Sequence, residues 1–283
     1  IFNTAVALGR LGVPTGFLTG LSTDVFGQQL AHDLEHSHVD VSFAMRSDLP
    51  TTLAFVQLRD GHATYTFYDE NTAGRSLLPE ELPDLPAQIS ALYFGGISLI
   101  SEPCAEFYAA LAEREAGQRC IALDPNIRPG FVKNAARYRA RLDRMIAVAD
   151  LVKVSDEDLD WIVPGETTLD QKVHALLQRG PKVVVLTRGS AGASAWQNGY
   201  ETISVPARQA VVVDTVGAGD TFNAGMLASL FSAGKLRKAS LAQKDNTALT
   251  AALAQGAAVA AVTVSRPGAN PPWAEELNEH SSN

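Results

Sequence analysis

Short apolar runs alternate with longer amphipathic segments along most of the chain. The runs predict buried strands, and the amphipathic segments predict helices. The predicted strands cover residues 15–18, 91–97, 119–124, 151–154, 182–187 and 209–213. The predicted helices cover residues 27–38, 103–116, 135–149, 168–179, 220–233 and 247–263, the first with Leu30 and Leu34 on its inner face. Continuous apolar strands that alternate with helices predict an α/β fold, in which a parallel sheet is covered on both faces.

Residues 41–68 interrupt this alternation with three extended runs, VSFAM, TTLAFVQL and ATYTFY. Asp60-Gly61 separates the second and third runs, and an Asp-Gly pair between alternating apolar runs predicts a hairpin. Three consecutive strands without helices predict a small β-sheet that projects from the main domain over about residues 41–70. Such a lid would cover a substrate and exclude water. An ordinary antiparallel extension that serves as a dimer surface is compatible with the same pattern.

The chain has 283 residues, of which 46% are hydrophobic and 19% charged. This composition suits one α/β domain over residues 1–283 with a decorated edge. The net charge of −8 disfavours a nucleic-acid partner, and no apolar run reaches the ~18 residues of a membrane span. Cys104 and Cys120 are expected to be reduced, buried thiols of a cytoplasmic protein. Because the first residues open inside a predicted helix, we expect a further segment before Ile1.

The most informative segment is a glycine-rich turn after the valine-rich run, DTVGAGD at residues 214–220, which leads into a predicted helix. Gly217 and Gly219 allow a tight turn and leave room for a ligand beside the backbone. The N–H groups of residues 217–220 would then lie unpaired at a helix N-terminus, which is an anion-binding arrangement. The Asp220 carboxylate in the same turn fits the removal of a proton from a hydroxyl that attacks a bound phosphoryl group.

Other interpretations of this turn can be compared with the phosphoryl-transfer hypothesis. A dinucleotide-binding fingerprint is excluded, because Gly217-Ala218-Gly219 is not followed by a glycine at the required sixth position. A Walker A loop is also excluded, because Gly-Lys-Ser/Thr occurs nowhere in the chain. The remaining alternative is a structural turn in which Asp220 is simply the N-cap of the helix. The turn alone leaves that alternative open.

Residues 214–227, DTVGAGDTFNAGML, resemble the C-terminal signature of the ribokinase, or PfkB, family of sugar kinases. The match covers the leading Asp-Thr, the Gly-Ala-Gly-Asp core and Ala224-Gly225. The resemblance implies a ribokinase-like three-layer α/β/α sandwich with a mostly parallel central sheet and a small β-sheet lid. It also implies a catalytic base at Asp220 and an anion hole at Gly217, Ala218 and Gly219.

Two further segments resemble sugar-binding parts of the family. Asn3 looks like the last residue of the N-terminal signature Gly-Gly-x-x-Asn, although Ser22 stands where the later part of that signature ends in glycine. Residues 124–129, DPNIRP, resemble the D-x-N-x-R segment of the fructokinase and 2-keto-3-deoxygluconate kinase branches. The resemblance implies that Asn3, Asn126 and Arg128 bind substrate, with a surface ion pair as the alternative role of Arg128.

The resemblance also implies a nucleotide and metal side of the site. Residues 153–158, KVSDED, occupy the place of the family's Asn-x-x-Glu motif, which organises Mg²⁺ through waters. The implied nucleotide-binding residues are Lys153, Ser155, Thr187, Gly189, Gly192 and Gly268. Asp158 or Glu157 is implied as the Mg²⁺ carboxylate, with Ser155 and Asp158 replacing the usual residues. Asp214 and Thr215 are implied as carbonyl ligands of a monovalent cation such as K⁺.

These resemblances imply an ATP-dependent carbohydrate kinase that phosphorylates a primary hydroxyl of a small sugar. Asp69 follows a Phe-Tyr pair after which many relatives carry arginine, and an acidic residue there disfavours an anionic sugar unless Arg46, Arg59 or Arg75 compensates. The expected substrate is therefore fructose, with 2-keto-3-deoxygluconate kinase and ribokinase or nucleoside kinase activity as alternatives. A non-catalytic sugar or nucleotide sensor is the alternative from another class. A homodimer through the lid is the expected assembly.

Overall fold

The computed structural model describes residues 1–59 and 62–280. Its helices are α1 (Phe2–Arg10), α2 (Val25–His36), α3 (Cys104–Glu115), α4 (Ala135–Val148), α5 (Asp156–Ile162), α6 (Leu169–Leu177), α7 (Ala218–Ser232), α8 (Lys238–Leu241), α9 (Asn246–Val264) and α10 (Ala274–His280). Its strands are β1 (Thr15–Gly16), β2 (Gly20–Ser22), β3 (Val39–Asp40), β4 (Met45–Ser47), β5 (Leu53–Arg59), β6 (His62–Tyr68), β7 (Ala91–Gly95), β8 (Cys120–Asp124), β9 (Leu151–Ser155), β10 (Val183–Thr187), β11 (Ala193–Gln197) and β12 (Ile203–Val205).

The central sheet has the strand order β12-β11-β10-β9-β8-β7. The four strands from β7 to β10 run parallel, whereas β11 and β12 are antiparallel to their neighbours. Parallel neighbours require crossover helices, and α3 to α6 supply them between β7 and β10. The predicted mostly parallel α/β sheet is confirmed.

Alternate side chains of the strands face two separate apolar cores. Ile121 and Val152 belong to one core, with residues of α3, α4 and α6, while Cys120 and Leu151 belong to the other, with residues of α1, α7 and α9. Side chains that alternate along a strand point to opposite faces of its sheet. The molecule therefore has helices on both faces of the sheet, which is the three-layer α/β/α arrangement.

One predicted strand, at residues 209–213, is wrong. This segment has no strand partner, and Val211 is 83% exposed. The backbone N–H groups of Val213 and Asp214 donate instead to the carbonyl oxygen of Val264, at the C-terminal end of α9. The valine-rich composition therefore reflects a loop that docks on a helix end rather than a buried strand.

The inner face of α2 also differs from the prediction. Its buried residues are Gly27, Ala31 and Leu34, which are spaced four and three residues apart, whereas Leu30 is only half-buried. Leu34 is fully buried, as expected. The buried face thus contains two small residues, Gly27 and Ala31. A small residue is needed at position 27 because α2 lies close to the backbone of β2: a Cβ on Gly27 would lie 2.1 Å from the Ser22 carbonyl oxygen.

The three extended runs of the lid region do not form a single sheet. The first run contributes β4, which pairs in parallel with β2, and residues 41–44 are not a strand. The other two runs form the antiparallel pair β5–β6, called here the lid hairpin. The Asp60-Gly61 pair that separates them lies outside the described residues. The predicted three-stranded lid is therefore wrong: the first strand pairs with β2, which precedes α2, and the other two strands form the lid.

Hydrogen bonds to carboxylates anchor both ends of the lid hairpin. At its start, Asp24 accepts bonds from the Thr51 N–H (2.8 Å) and hydroxyl (2.6 Å) while also capping α2 through Gly27 N–H. The Thr51 hydroxyl and these backbone N–H groups lower the pKa of Asp24 to about 2. At the end of the hairpin, Asp69 forms an ion pair with Arg75 (3.0 Å) and accepts a bond from the Ser101 hydroxyl. The hairpin is therefore tied to the main domain at two points.

Within the described residues, α9 is the one helix long and apolar enough, by length and composition, to span a membrane. It packs along α7 on the sheet, with Leu253 and Val259 fully buried, as expected for the core helix of a globular domain. The two helices approach closely at Gly225, where a Cβ would lie 2.7 Å from the Gln255 carbonyl oxygen and 2.8 Å from Val259 Cγ2. The position of α7 therefore depends on the absence of a side chain at residue 225.

We predict that Gly225→Ala lowers the free energy of unfolding by about 1–3 kcal/mol, because the added methyl group overpacks the α7–α9 contact. This loss would appear although alanine favours a helix interior by about 1 kcal/mol over glycine. Urea denaturation followed by circular dichroism measures the change. Gly117→Ala is the control, since its Cβ would meet nothing within 4 Å. Equal effects of the two substitutions would contradict the prediction.

Candidate active site

The glycine-rich turn forms the N-terminus of the fifteen-residue helix α7, which begins at Ala218. Gly217 is the N-cap and has a left-handed backbone, with φ of +79°. A Cβ at this position would also lie 2.7 Å from the Cβ of Ala269 in the loop after α9. Both the backbone angle and this close approach require glycine.

The turn presents unpaired backbone donors at the C-terminal edge of the sheet. The Ala218 N–H donates weakly to the Thr215 carbonyl oxygen, at 3.3 Å. The N–H groups of Gly217, Gly219 and Asp220 have no acceptor in the part of the chain that the structure describes. Free N–H groups at the start of a long helix attract anions, because the helix dipole adds to the hydrogen-bonding capacity.

Asp220 lies in the first turn of α7 and does not cap it, since the N-cap is Gly217. The Asp220 Oδ2 accepts a hydrogen bond from Asn3 Nδ2 at 2.9 Å, and Oδ1 lies 3.4 Å from the Thr4 hydroxyl. The carboxylate therefore points to the start of α1, with 17% of its side chain exposed. The alternative of a simple capping residue does not fit this geometry.

A buried polar cluster lies behind the turn, on the face of the sheet that α7 covers. Asp124 Oδ2 is 3.1 Å from Lys153 Nζ and accepts a bond of 2.6 Å from Asn223 Nδ2. Burial raises the pKa of Asp124, and the nearby Lys153 ammonium opposes that rise. Burial also raises the pKa of Tyr93 well above its usual value, and the charges of Asp124 and Asp220 add to the effect.

Asp214 links the start of the turn to the loop that follows α9. Its carboxylate accepts hydrogen bonds from the N–H groups of Val216 (3.0 Å) and Gly268 (2.9 Å). Both bonds lower the pKa of Asp214, and the bond from Val216 has the larger effect. Gly268 has a φ of +66°. The predicted roles of Asp214 and Thr215 in cation binding concern their carbonyl groups and stay predictions.

The other predicted ligand residues lie at the ends of parallel strands. Asn126 and Arg128 follow β8, Asn126 with a left-handed φ of +43° and Arg128 exposed, with Nη1 donating to the Ile127 carbonyl oxygen. Thr187 ends β10, and Gly189 and Gly192 follow it with positive φ. A Cβ on Gly192 would lie 2.2 Å from the Val205 carbonyl oxygen. Ligands of parallel α/β sheets bind at this edge.

The predicted Mg²⁺ carboxylates have different environments. Asp158 is buried, with Oδ1 accepting a bond from Ile127 N–H (2.7 Å) and Oδ2 from Ser155 N–H (3.1 Å). Ser155 in turn caps α5 by accepting a bond from the Asp158 N–H. Glu157 is exposed and thus accessible to a hydrated ion. No group of three or more histidine, cysteine or acidic residues that could hold a metal occurs within residues 1–59 and 62–280.

A cleft of about 990 Å³ lies under the lid hairpin, between the segment after β7 and the start of α4. Its lining includes Phe67, Asp69, Arg75, Ile97 and Phe131, but none of the residues predicted from the family signatures. The Asp69–Arg75 ion pair neutralises the acidic residue that was expected to repel an anionic sugar. The charge of Asp69 therefore supports fructose less than the sequence indicated, because Arg75, one of the three arginines considered, pairs with it.

Sequence reasoning missed Thr4, Tyr93 and Asn223 as parts of the site and assigned no role to Asp124. Asn223 carried a usable signal, because it lies one helical turn after Asp220 and is the one polar residue in the run FNAGML at residues 222–227. Asp124 carried another, since it opens the D-x-N-x-R segment. Their contact joins residues 99 positions apart, which no local pattern reveals.

A helix N-terminus with unpaired N–H groups beside a carboxylate, at the edge of an α/β sheet, is suited to phosphotransferases that act on alcohols. The model of the pfkB family carbohydrate kinases matches residues 2–276. The chain belongs to this family, as the signature at residues 214–227 implied.

Relatives agree with this assignment. A fructokinase from Rhizobium leguminosarum bv. trifolii is 51% identical over 250 residues, covering 88% of this chain and 76% of that protein. A fructokinase from Salmonella typhimurium is 36% identical over 98% of this chain and 89% of its own length. The crystal structure of a Xylella fastidiosa fructokinase with bound ATP has a TM-score of 0.89 and 27% identity, covering 100% of this chain and 90% of that one. The structure of aminoimidazole riboside kinase from Salmonella enterica, with aminoimidazole riboside and an ATP analog, has a TM-score of 0.84 and 27% identity, covering 98% and 89%.

We predict that Gly217→Ala lowers kcat/KM by at least about tenfold while the protein stays folded, because the added methyl group displaces the turn from Ala269 and misaligns its amides. Complete loss of one oxyanion-type donor lowers the rate by on the order of 10²–10³-fold. A donor that is only misaligned is expected to cause a smaller loss in rate. Steady-state kinetics and circular dichroism measure the two effects. Gly199→Ala is the matched control, because Gly199 has nearly the same φ (+78°) with nothing within 4 Å of its Cβ. A kinetic effect of similar size in both variants would refute the steric explanation.

Proposed function

We propose that the protein transfers the γ-phosphoryl group of ATP to a primary hydroxyl of fructose. The observation that carries the proposal is the position of the Asp220 carboxylate in the same turn as three unpaired backbone N–H groups. A base and a set of anion donors at one point are what phosphoryl transfer to an alcohol needs. The relatives named fructokinase support the choice of sugar.

In the proposed reaction Asp220 accepts the proton of the attacking sugar hydroxyl. The hydroxyl oxygen forms a bond to the γ-phosphorus as the bond from that phosphorus to the bridging oxygen of ADP breaks. The amides of Gly217, Ala218 and Gly219 stabilise the charge on the transferring group; Ala218 contributes less, since its N–H already has an acceptor. Asn3 donates to Asp220 Oδ2 and so helps to orient the carboxylate.

The nucleotide is proposed to lie along the ends of β9 and β10 and the loop after α9. The residues assigned to it are Lys153, Ser155, Thr187, Gly189, Gly192 and Gly268. Mg²⁺ would shield the charge of the phosphates, held through waters mainly by the exposed Glu157, because both oxygens of Asp158 already accept backbone hydrogen bonds. A monovalent cation such as K⁺ is proposed at the carbonyl groups of Asp214 and Thr215.

The sugar is proposed to bind between the turn and the lid hairpin, with Asn3, Asn126 and Arg128 as ligands.

Phe55 and Tyr68 are 54% and 60% exposed on the hairpin and pack edge to face, 5.6 Å apart. Because exposed apolar surface of this kind marks interaction sites, we propose that a second copy of the chain covers it in a homodimer. A cytoplasmic location is proposed with it, consistent with two buried, free thiols.

We predict that Asp220→Asn lowers kcat by on the order of 10²–10⁴, with the affinities for sugar and nucleotide largely retained, because the variant lacks the proton acceptor. A coupled assay of ADP release with fructose and ATP measures the rate, and calorimetry measures binding. Asp33→Asn, a change of the same charge on the exposed face of α2, is the control and should leave kcat unchanged. Undiminished turnover of Asp220→Asn would exclude Asp220 as the base.

We predict that fructose gives the highest kcat/KM in a screen that also contains 2-keto-3-deoxygluconate, ribose, tagatose and adenosine. The same coupled assay measures all five compounds at saturating MgATP. A higher kcat/KM for the acidic sugar would contradict fructose as the preferred substrate. Tight sugar binding without ATP turnover would favour a non-catalytic sensor.

A further inference from the structure

The Lys153 ammonium group lies directly behind the glycine-rich turn. Lys153 is on β9, on the face of the sheet that α7 covers, and only 5% of the residue is exposed. Its Nζ would be 3.6 Å from a Cβ built on Gly219, so a positive charge lies beside the residue at the centre of the turn. A side chain at residue 219 would start in contact with the ammonium, whereas glycine leaves this space free of a side chain.

This ammonium group is incompletely satisfied. It has three N–H donors, and the described residues provide one acceptor, Asp124 Oδ2 at 3.1 Å. A buried charge is costly unless it is both paired and hydrogen-bonded. An anion bound at the turn would supply acceptors for the two remaining N–H donors of this buried lysine.

Asp124 and Asn223 together define where the ammonium lies. Asp124 Oδ2 accepts hydrogen bonds from both Lys153 and Asn223, and Asp124 and Asn223 are 2% and 0% exposed. Among the described residues, the Oδ1 atoms of Asp124 and Asn223 have no donor. The Asn223 amide therefore holds the one carboxylate oxygen that contacts Lys153, and it does so from α7, the helix that carries Asp220.

Other charged or titratable groups surround Asp124 from each neighbouring element. Lys153 faces it from β9, and the charge of Asp158 acts on it from α5. Tyr93 on β7 and Tyr138 on α4 have pKa values that burial raises first and the Asp124 charge raises further. Lys153 is the one cation among these groups, so the carboxylate has a single counter-charge to orient.

We propose that Asp124 and Asn223 are positioning residues that hold the Lys153 ammonium beneath Gly219, where it binds the phosphates of the nucleotide together with the turn amides. This inference rests on the proposed kinase function. Because Asn223 and Asp220 lie one turn apart on α7, the same helix sets the position of the base and, through Asp124, of the phosphate-binding charge. The alternative is a purely structural ion pair that stabilises the sheet without affecting nucleotide binding.

The test is a double-mutant cycle of Asn223→Ala and Lys153→Met, with the dissociation constant of MgATP measured by calorimetry. We expect each single substitution to weaken MgATP binding by on the order of 10- to 100-fold, the effect of one lost hydrogen bond to a charged group. We expect Asn223→Ala to cause less than about threefold further weakening once Lys153 is methionine, since it acts through that lysine. The KM for fructose should stay within about twofold in the active variants.

The chain contains a matched control pair at the opposite edge of the same sheet. Asp150 is 2% exposed and binds Lys238 Nζ through both carboxylate oxygens, at 2.8 and 3.0 Å. Asp150→Asn should lower the melting temperature and leave the MgATP dissociation constant unchanged. If Asn223→Ala does not fold, Asn223→Leu, which is similar in size and has no side-chain donor, takes its place in the cycle.

The outcomes separate this inference from the proposed function. Unchanged MgATP binding in Asn223→Ala, or additive effects in the cycle, would overturn the positioning role while the Asp220→Asn result still decides the kinase activity. Wild-type protein that binds MgATP but phosphorylates no sugar would overturn the function, and the binding cycle would still decide the role of Asn223. Absence of MgATP binding in the wild type would overturn both.

Discussion

The packing of α7 sets the geometry of the whole site. Gly225 lets this helix approach α9, and Gly217 lets its first turn lie against Ala269 with a left-handed backbone. Because α7 is fixed at both points, its unpaired N–H groups and the Asp220 carboxylate are presented at the edge where the parallel strands end. Preorganised donors of this kind stabilise developing charge without having to reorient during the reaction. The site is thus built mainly from backbone whose position two glycines determine.

The features that follow from local sequence were predictable. Continuous apolar runs identified β7 to β10, and the spacing of glycines and Asp220 identified the tight turn at the start of α7. The strand predicted at residues 209–213 was wrong, because three consecutive valines look like a buried strand in the sequence even though this segment docks on the end of α9. The prediction of a three-stranded lid was wrong for a different reason. The strand β4 pairs in parallel with β2, from which α2 separates it in the sequence, and hydrophobic alternation does not specify such a distant partner.

The buried cluster behind the turn was not predictable, since Asp124, Lys153 and Asn223 come from β8, β9 and α7. The aspartates of this protein also show that residue type alone does not assign a role. Backbone N–H groups lower the pKa of Asp214, whereas burial raises that of Asp124. Asp158 uses both oxygens to hold backbone, and Asp220 is left accessible beside unpaired amides. Environment, not sequence position, distinguishes a structural carboxylate from a candidate base.

The anchoring of the lid hairpin limits how this part of the molecule can move. Asp24 holds Thr51 at one end of the hairpin, and Arg75 with Ser101 holds Asp69 at the other. If these bonds are kept, residues 51 and 69 stay in place. The hairpin between them can then move only as a unit, by rotation about an axis through these two residues. The aromatic pair of Phe55 and Tyr68 travels with the hairpin, so the surface proposed for the second subunit and the roof of the cleft move together.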